Sequence, residues 1–173
     1  NDTVSVFRAK DLKLLRTLRL NPSPLVAGLR GVIPTGMAMT QDGKQLFVCE
    51  SGLNSIAVLE PHSGKTIGRI PTGWFPISVK LNGSTVLVAC QKGIGRGPRG
   101  PLNPRPKTDE RYGMADMPGM IETMAFPSSA ELSAGHHRVL ENNGIVTAKP
   151  ATATYPDIRY VVFITKENHT FDG

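Results

Sequence analysis

A repeat within residues 1–90 constrains the fold of this chain more than any other feature. Residues 34–49 and 76–89 share one pattern, in which a proline opens the segment and an Asp-Gly or Asn-Gly pair precedes an apolar run. Equivalent positions lie about 40 residues apart. A period of about 40 residues, made of short strands and turns, is typical of β-propeller blades. The repeat therefore predicts a mainly β chain built from four-stranded sheets.

Turn-forming residues divide the repeat into pieces of strand length. Asp42-Gly43 and Asn82-Gly83 suit hairpin turns, because Gly, Asn and Asp tolerate a positive φ. Residues 51–54 (SGLN) and 62–65 (HSGK) supply two further turns. The strands between these turns are predicted at residues 45–50, 55–60 and 66–71.

A third copy of the pattern is partial. Residues 1–6 resemble residues 53–58, but the offset between them exceeds the period of the repeat. The segment 21–31 (NPSPLVAGLRG) interrupts the pattern and accounts for the difference as an insertion.

Residues 91–119 are rich in glycine, proline and basic residues, and they predict a long irregular loop. The net charge of +6 could indicate an anionic partner, and the arginines of the loop could contact an anion. A solvated basic loop is the commoner arrangement. No aromatic residues are interleaved with the charges, so no nucleic-acid partner is expected. Every second residue within 93–97 is glycine, as in a nucleotide-binding loop. A dinucleotide-binding loop must open a helix, however, and the prolines from Pro98 onward exclude a helix here.

A helix is predicted beyond this loop. Ser128 or Ser129 can cap its first turn, and Glu131 completes the sequence of a capping box. The helix runs through Leu132 and is predicted to end at residues 142–144 (NNG).

Two residue pairs that could suggest a metal or redox site have simpler explanations. His136 and His137 are adjacent, so on a helix they point about 100° apart and do not chelate one ion. Both are expected at the helix surface. Cys49 and Cys90 lie in strand-like runs without CxxC spacing, and they are expected to be small buried apolar residues.

The chain has no run of about 18 apolar residues, so no membrane span is predicted. Its first ten residues lack the basic and then apolar plan of a signal peptide. They also lack an initiator methionine, so the true N-terminus is expected elsewhere.

Polar residues follow the last apolar run of the chain. Residues 157–164 read as a buried parallel strand, and Glu167 and Asn168 come directly after it. The carboxyl ends of strands are where open α/β sheets build their active sites. A carboxylate beside an amide oxygen suits a divalent cation. A solvated turn between strand and helix would have the same spacing.

Two family resemblances fall in separate parts of the chain. Residues 34–73 (PTGMAMTQDGKQLFVCESGLNSIAVLEPHSGKTIGRIPTG) resemble the YVTN-type propeller repeat. Residues 157–173 (DIRYVVFITKENHTFDG) resemble the opening strand of the alkaline phosphatase superfamily, in its phosphoesterase branch, which includes phospholipase C-like and acid phosphatase-like enzymes. Their order along the chain resembles a known fusion of the two domains.

The second resemblance implies roles for the residues near the carboxyl end. Glu167 and Asn168 would be ligands of a divalent metal ion of unknown identity. His169 and Asp172 would hold the turn or shape the pocket. The substrate would be a phosphate ester, attacked in line by a hydroxyl nucleophile to give a covalent phospho-enzyme that water hydrolyses. Export to the periplasm or outside the cell is implied by the family alone.

Together these observations predict a partial β-propeller of about two blades with a last-blade strand and helix, followed by the first strand of an α/β phosphatase-like domain. The predicted divisions are propeller blades at 1–90, a basic Gly/Pro-rich loop at 91–119, the last blade strand and helix at 120–144, a linker at 145–156 and the start of the phosphoesterase domain at 157–173.

This segment alone is expected to be inactive, as a fragment of a hydrolase. The family's Ser or Thr nucleophile and its Asp and His ligands lie downstream of the motif, and no catalytic residue is predicted here. Thr170 is not taken as the nucleophile. The alternative is a non-enzymatic propeller that binds a partner, with a carboxyl end that only imitates the motif.

Overall fold

The computed structural model of the chain describes residues 2–94 and 119–145 and, near the carboxyl end, residues 159–160 and 162–163. These residues contain the following strands and helix: β1 (Thr3–Phe7), β2 (Leu14–Arg19), β3 (Pro34–Met39), β4 (Leu46–Glu50), β5 (Ser55–Leu59), β6 (Thr66–Pro71), β7 (Pro76–Asn82), β8 (Thr85–Cys90), β9 (Met120–Ala125) and α1 (Ser129–Asn142). The prediction of a mainly β chain is confirmed.

The strands form three antiparallel sheets in which neighbours in the chain are also neighbours in space. The first sheet pairs β1 with β2, and the second, called the central sheet below, has the order β3-β4-β5-β6. The third sheet has the order β7-β8-β9. In the described part of the chain the three sheets form an open series, so ring closure stays a prediction.

The predicted turns lie where the sequence placed them. Gly43, Gly64 and Gly83 each follow a strand with φ values of +69°, +76° and +58°, a region that favours glycine. At the β4–β5 connection Asn54 takes the left-handed conformation at φ 52°. These turns bound strands that match the predicted ranges to within one residue at each end.

Two apolar cores show that the central sheet lies between the other two. Side chains that alternate along a strand point to opposite faces. One face of the central sheet packs against the third sheet, with a core that includes Phe47, Ile56, Val58, Val79, Val86 and Val88. The other face packs against the first sheet, with a core that includes Val4, Leu18, Leu46, Val48 and Leu59.

Helix α1 begins and ends as predicted. Ser128 is the N-cap, and the reciprocal hydrogen bonds between Ser128 and Glu131 form a complete capping box. The chain leaves the helix through Gly144, whose φ is +64°. Leu132 belongs to one core and Val139 to the other, so the helix covers the outer edge of the central sheet.

Close backbone contact seats α1 on the edge strand β6. A Cβ atom at Gly135 would lie 2.2 Å from the carbonyl oxygen of Arg69. A Cβ atom at Gly68 would lie 2.5 Å from the carbonyl oxygen of Leu132. Two facing glycines therefore let helix and strand approach more closely than any larger residues would.

The strand predicted from residue 120 onward is present as β9, which pairs with β8, and its place in a propeller blade stays a prediction. Most of the basic loop, residues 95–118, and most of the linker and terminal segment lie outside the described residues. At Arg159, Tyr160, Val162 and Phe163 the structure has no strand, and all four residues are exposed. The buried strand predicted at 157–164 is therefore not seen at the positions that are described.

Cys49 and Cys90 are both buried, as predicted, and both are free thiols. Burial raises the pKa of Cys49 to about 11, so this thiol stays protonated at neutral pH. No helix in the described ranges is long and apolar enough to cross a membrane.

Candidate functional site

The predicted metal ligands Glu167 and Asn168 lie outside the described residues, as do His169 and Asp172. Their role stays a prediction from the sequence. Within residues 2–94 and 119–145, no three His, Cys, Asp or Glu side chains are placed to hold a metal ion.

The most developed polar site in the described residues is a buried network on the central sheet, here called the Glu50 network. The guanidinium of Arg69 donates from Nε to Glu50 Oε2 at 2.8 Å and from Nη2 to Glu50 Oε1 at 2.9 Å. The hydroxyl of Ser55 donates to Glu50 Oε2 at 2.8 Å. Glu50 is 0% exposed and Arg69 is 1% exposed. This bidentate geometry is the strongest that an arginine and a carboxylate can form.

The register of the sheet brings these residues together. Glu50 in β4 pairs with Ser55 in β5, and Ala57 in β5 pairs with Arg69 in β6. All four side chains point to the face that packs toward the first sheet. Because Ala57 is small, the long side chain of Arg69 can cross β5 and reach the carboxylate in β4.

His136 extends the network onto helix α1. Its Nδ1 lies 3.0 Å from Nη1 of Arg69, and since a guanidinium only donates, Nδ1 must be the unprotonated acceptor. Burial lowers the pKa of His136, the positive charges of Arg69 and His137 lower it further, and Glu50 opposes them. The neutral imidazole is therefore the form that fits the folded chain.

The prediction that both histidines lie on the helix surface is wrong for His136. His137 is exposed, whereas His136 is half-buried against the central sheet. The sequence did carry a signal for this: His136 lies four residues after Leu132 and three before Val139, on the same apolar stripe. The ring centroids of the two histidines are 6.1 Å apart.

A second carboxylate ties the third sheet to the loop that precedes it. Both oxygens of Glu122 in β9 accept from the backbone N–H of Gly73 at 3.1 Å. The thiol of Cys90 donates to Glu122 Oε2 at 3.5 Å. Burial and the nearby Glu122 carboxylate raise the pKa of Cys90 to about 12, so this thiol is not a nucleophile at neutral pH.

Both carboxylates are therefore occupied by partners within the chain. The Glu50 network holds β4, β5, β6 and α1 in register, and Glu122 holds β9 to the β6–β7 loop. Sequence reasoning missed Glu50 and Arg69, because a charged residue at the end of an apolar run reads as a strand end rather than as half of a buried pair. Both sites hold strands, helix and loop in place, and neither presents a free reactive group.

No protein-family model and no curated protein matches the chain. Among solved structures, the chain is similar to Kuenenia stuttgartiensis hydrazine synthase, at 26% sequence identity and a TM-score of 0.44. The similarity covers 51% of this chain and 23% of that one. A TM-score this low fixes neither a shared fold nor a shared function.

Proposed function

We propose that this chain forms consecutive blades of a β-propeller and leads into a metal-dependent phosphoesterase domain. The observation that supports the propeller is the central sheet: a four-stranded antiparallel meander, 34–71, with another sheet packed on each of its faces. Neighbouring propeller blades pack face to face in this way. The 40-residue repeat supports the same proposal independently.

The phosphoesterase part of the proposal is supported by the sequence at the carboxyl end. Glu167 and Asn168 would hold a divalent cation, and His169 and Asp172 would shape the pocket around it. A cation bound there would polarise the phosphoryl group of the substrate. The nucleophile would come from residues of the family pattern that follow this motif.

In this proposal the propeller recognises the substrate or a partner, or it shields the catalytic site. Its internal polar networks suit that task, because a rigid platform holds surface loops in place. The buried Glu50 network keeps the central blade and the helix at its edge in one arrangement. The phosphoesterase chemistry would then depend on loops carried by a scaffold that does not change shape.

The test is to substitute Glu167 in the full-length protein and to measure hydrolysis of p-nitrophenyl phosphate with added divalent metal. Because even supporting residues of metal sites change activity about 10- to 100-fold, Glu167→Ala should cost at least that much. Bound metal, measured by elemental analysis, should fall in parallel. Glu141→Ala is the matched control, since Glu141 is an exposed residue of α1 and forms only a 3.9 Å ion pair.

Undiminished turnover and metal content in Glu167→Ala would remove the ligand role proposed for Glu167. A wild-type protein that neither binds metal nor hydrolyses phosphate esters would instead favour the non-enzymatic propeller.

A further inference from the structure

The insertion at residues 21–31 borders two adjoining pockets and belongs to no strand. It contains a short 3₁₀ turn, Pro24–Val26, which Ser23 caps by accepting from the N–H of Leu25 at 3.3 Å. The repeat does not need these residues to form its sheets. Segments added to a repeated scaffold at its surface are common places for binding sites.

The first pocket, called the arginine pocket below, has a volume of about 290 Å³ and is lined by Arg19 and Arg30. Both arginines are exposed, and the side chain of neither forms an ion pair or hydrogen bond with any residue that the structure describes. Asn21 also lines it, and the Oδ1 atom of Asn21 accepts from the N–H of Ser23 at 3.2 Å.

One acidic residue, Asp2, faces the same pocket. Its carboxylate accepts from the backbone N–H of Gly31 at 2.8 Å and of Ile33 at 3.2 Å. Although slight burial raises the pKa of Asp2, these backbone hydrogen bonds lower it more, so the group stays ionised. Two arginines and one carboxylate that is already engaged thus line the pocket, which keeps an excess of positive charge.

The second pocket has a volume of about 310 Å³ and shares Pro22, Leu29 and Arg30 with the first. Its remaining wall is mainly apolar and includes Val26, Val32, Leu53 and Ile145. Leu29 is 72% exposed at the boundary of the two pockets. Two arginines without side-chain partners therefore lie next to an apolar surface, where the insertion meets β2 and the residues that follow α1.

We propose that the insertion binds a small organic anion. Its phosphate or carboxylate group lies between Arg19 and Arg30, and its apolar part lies along Leu29 toward the second pocket. Arginine suits this role because its planar guanidinium binds either anionic group through paired hydrogen bonds. The site is separate from Glu167 and Asn168 in sequence, and it does not depend on the proposed phosphoesterase.

Isothermal titration calorimetry on the full-length protein tests the proposal, with a chelator present so that a metal site does not compete. The ligands are octyl phosphate, octanoate, inorganic phosphate and 1-octanol. Octyl phosphate or octanoate should bind, and the tighter of the two names the anionic group. Inorganic phosphate lacks the apolar part of the ligand, and 1-octanol lacks the anionic group. Each should therefore bind at least about tenfold more weakly, which is a loss of about 1.4 kcal/mol in binding free energy.

Three variants locate the site. Arg19→Gln and Arg30→Gln should each weaken binding by about tenfold or more, since each removes a charged donor of paired hydrogen bonds to the anion. Leu29→Ala should reduce the advantage of octyl phosphate over inorganic phosphate. Arg138→Gln, an exposed arginine on α1, is the matched control and should leave binding unchanged.

Absence of binding by both octyl phosphate and octanoate would overturn the proposal. Equal affinities in Arg30→Gln and Arg138→Gln would overturn it as well, because any anion bound would then lie elsewhere.

Discussion

At the scale of single residues, the Glu50 network shows how a charged pair is kept inside a β-sheet. Arg69 donates two hydrogen bonds to the carboxylate of Glu50. Ser55 donates a further hydrogen bond to Glu50, and His136 accepts one from Arg69. Such a pair adds little net stability compared with an apolar pair, but removing one partner costs about 3–5 kcal/mol. The network therefore specifies one arrangement of strands and helix.

His136 makes that arrangement dependent on pH. Its folded-state pKa lies below the ordinary value of 6.5, so the unfolded chain binds the proton more readily. The contribution of neutral His136 to stability is complete above about pH 6.5 and is lost as the pH falls from there toward the lowered pKa. We expect the melting temperature of the wild type to fall over this window more steeply than that of His136→Gln, in which the amide oxygen still accepts from Arg69.

Differential scanning fluorimetry from pH 7.5 to pH 5 measures this difference. The control is His62→Gln, which removes an exposed histidine outside the Glu50 network and should keep the wild-type slope. Parallel profiles for the wild type and His136→Gln would contradict the role given to His136.

At the scale of elements, local sequence signals predicted the strands and the helix well. Hairpin pairs such as Asp42-Gly43 act through their own backbone conformations, and the capping box joins Ser128 to Glu131 only three residues away. The seating of α1 on β6 could not be predicted. It depends on Gly68 and Gly135, which are distant in sequence and have no local signature of contact.

Gly135→Ala tests that close seating. Alanine is a better helix former than glycine by about 1 kcal/mol, so the substitution would stabilise a helix that packs against nothing at this position. Here the new Cβ would meet the carbonyl oxygen of Arg69, and overpacking costs about 1–3 kcal/mol. We expect a net loss of stability and, because His136 moves with the helix, a weaker dependence of stability on pH.

Chemical denaturation at pH 7.5 and at pH 5 gives the free energy of unfolding and its dependence on pH. Ser133→Ala is the control, because Ser133 is an exposed position of the same helix and should change stability little. A Gly135→Ala variant more stable than the wild type would show that helix and strand do not touch as described.

At the scale of the whole molecule, the order of the sheets follows from the repeat, but the candidate catalytic site does not follow from the fold. The repeat predicted the central sheet, since its period and turns are local properties of residues 34–71. The insertion at 21–31 was visible as an interruption, yet its pockets depend on Arg19 and on residues 143–145, which follow α1. The roles of Glu167 and Asn168 rest on sequence resemblance, and both residues lie outside the described part of the chain.

The central claim is that residues 34–71 form one blade of a β-propeller. An experimental structure of the full-length protein tests it most directly. We expect a closed ring in which β1 and β2 are the outer strands of a four-stranded blade, with two further strands covering the exposed Met37 and Met39 of β3. A structure in which the central sheet lies in an open sandwich, with no further blades around a common axis, would contradict the claim.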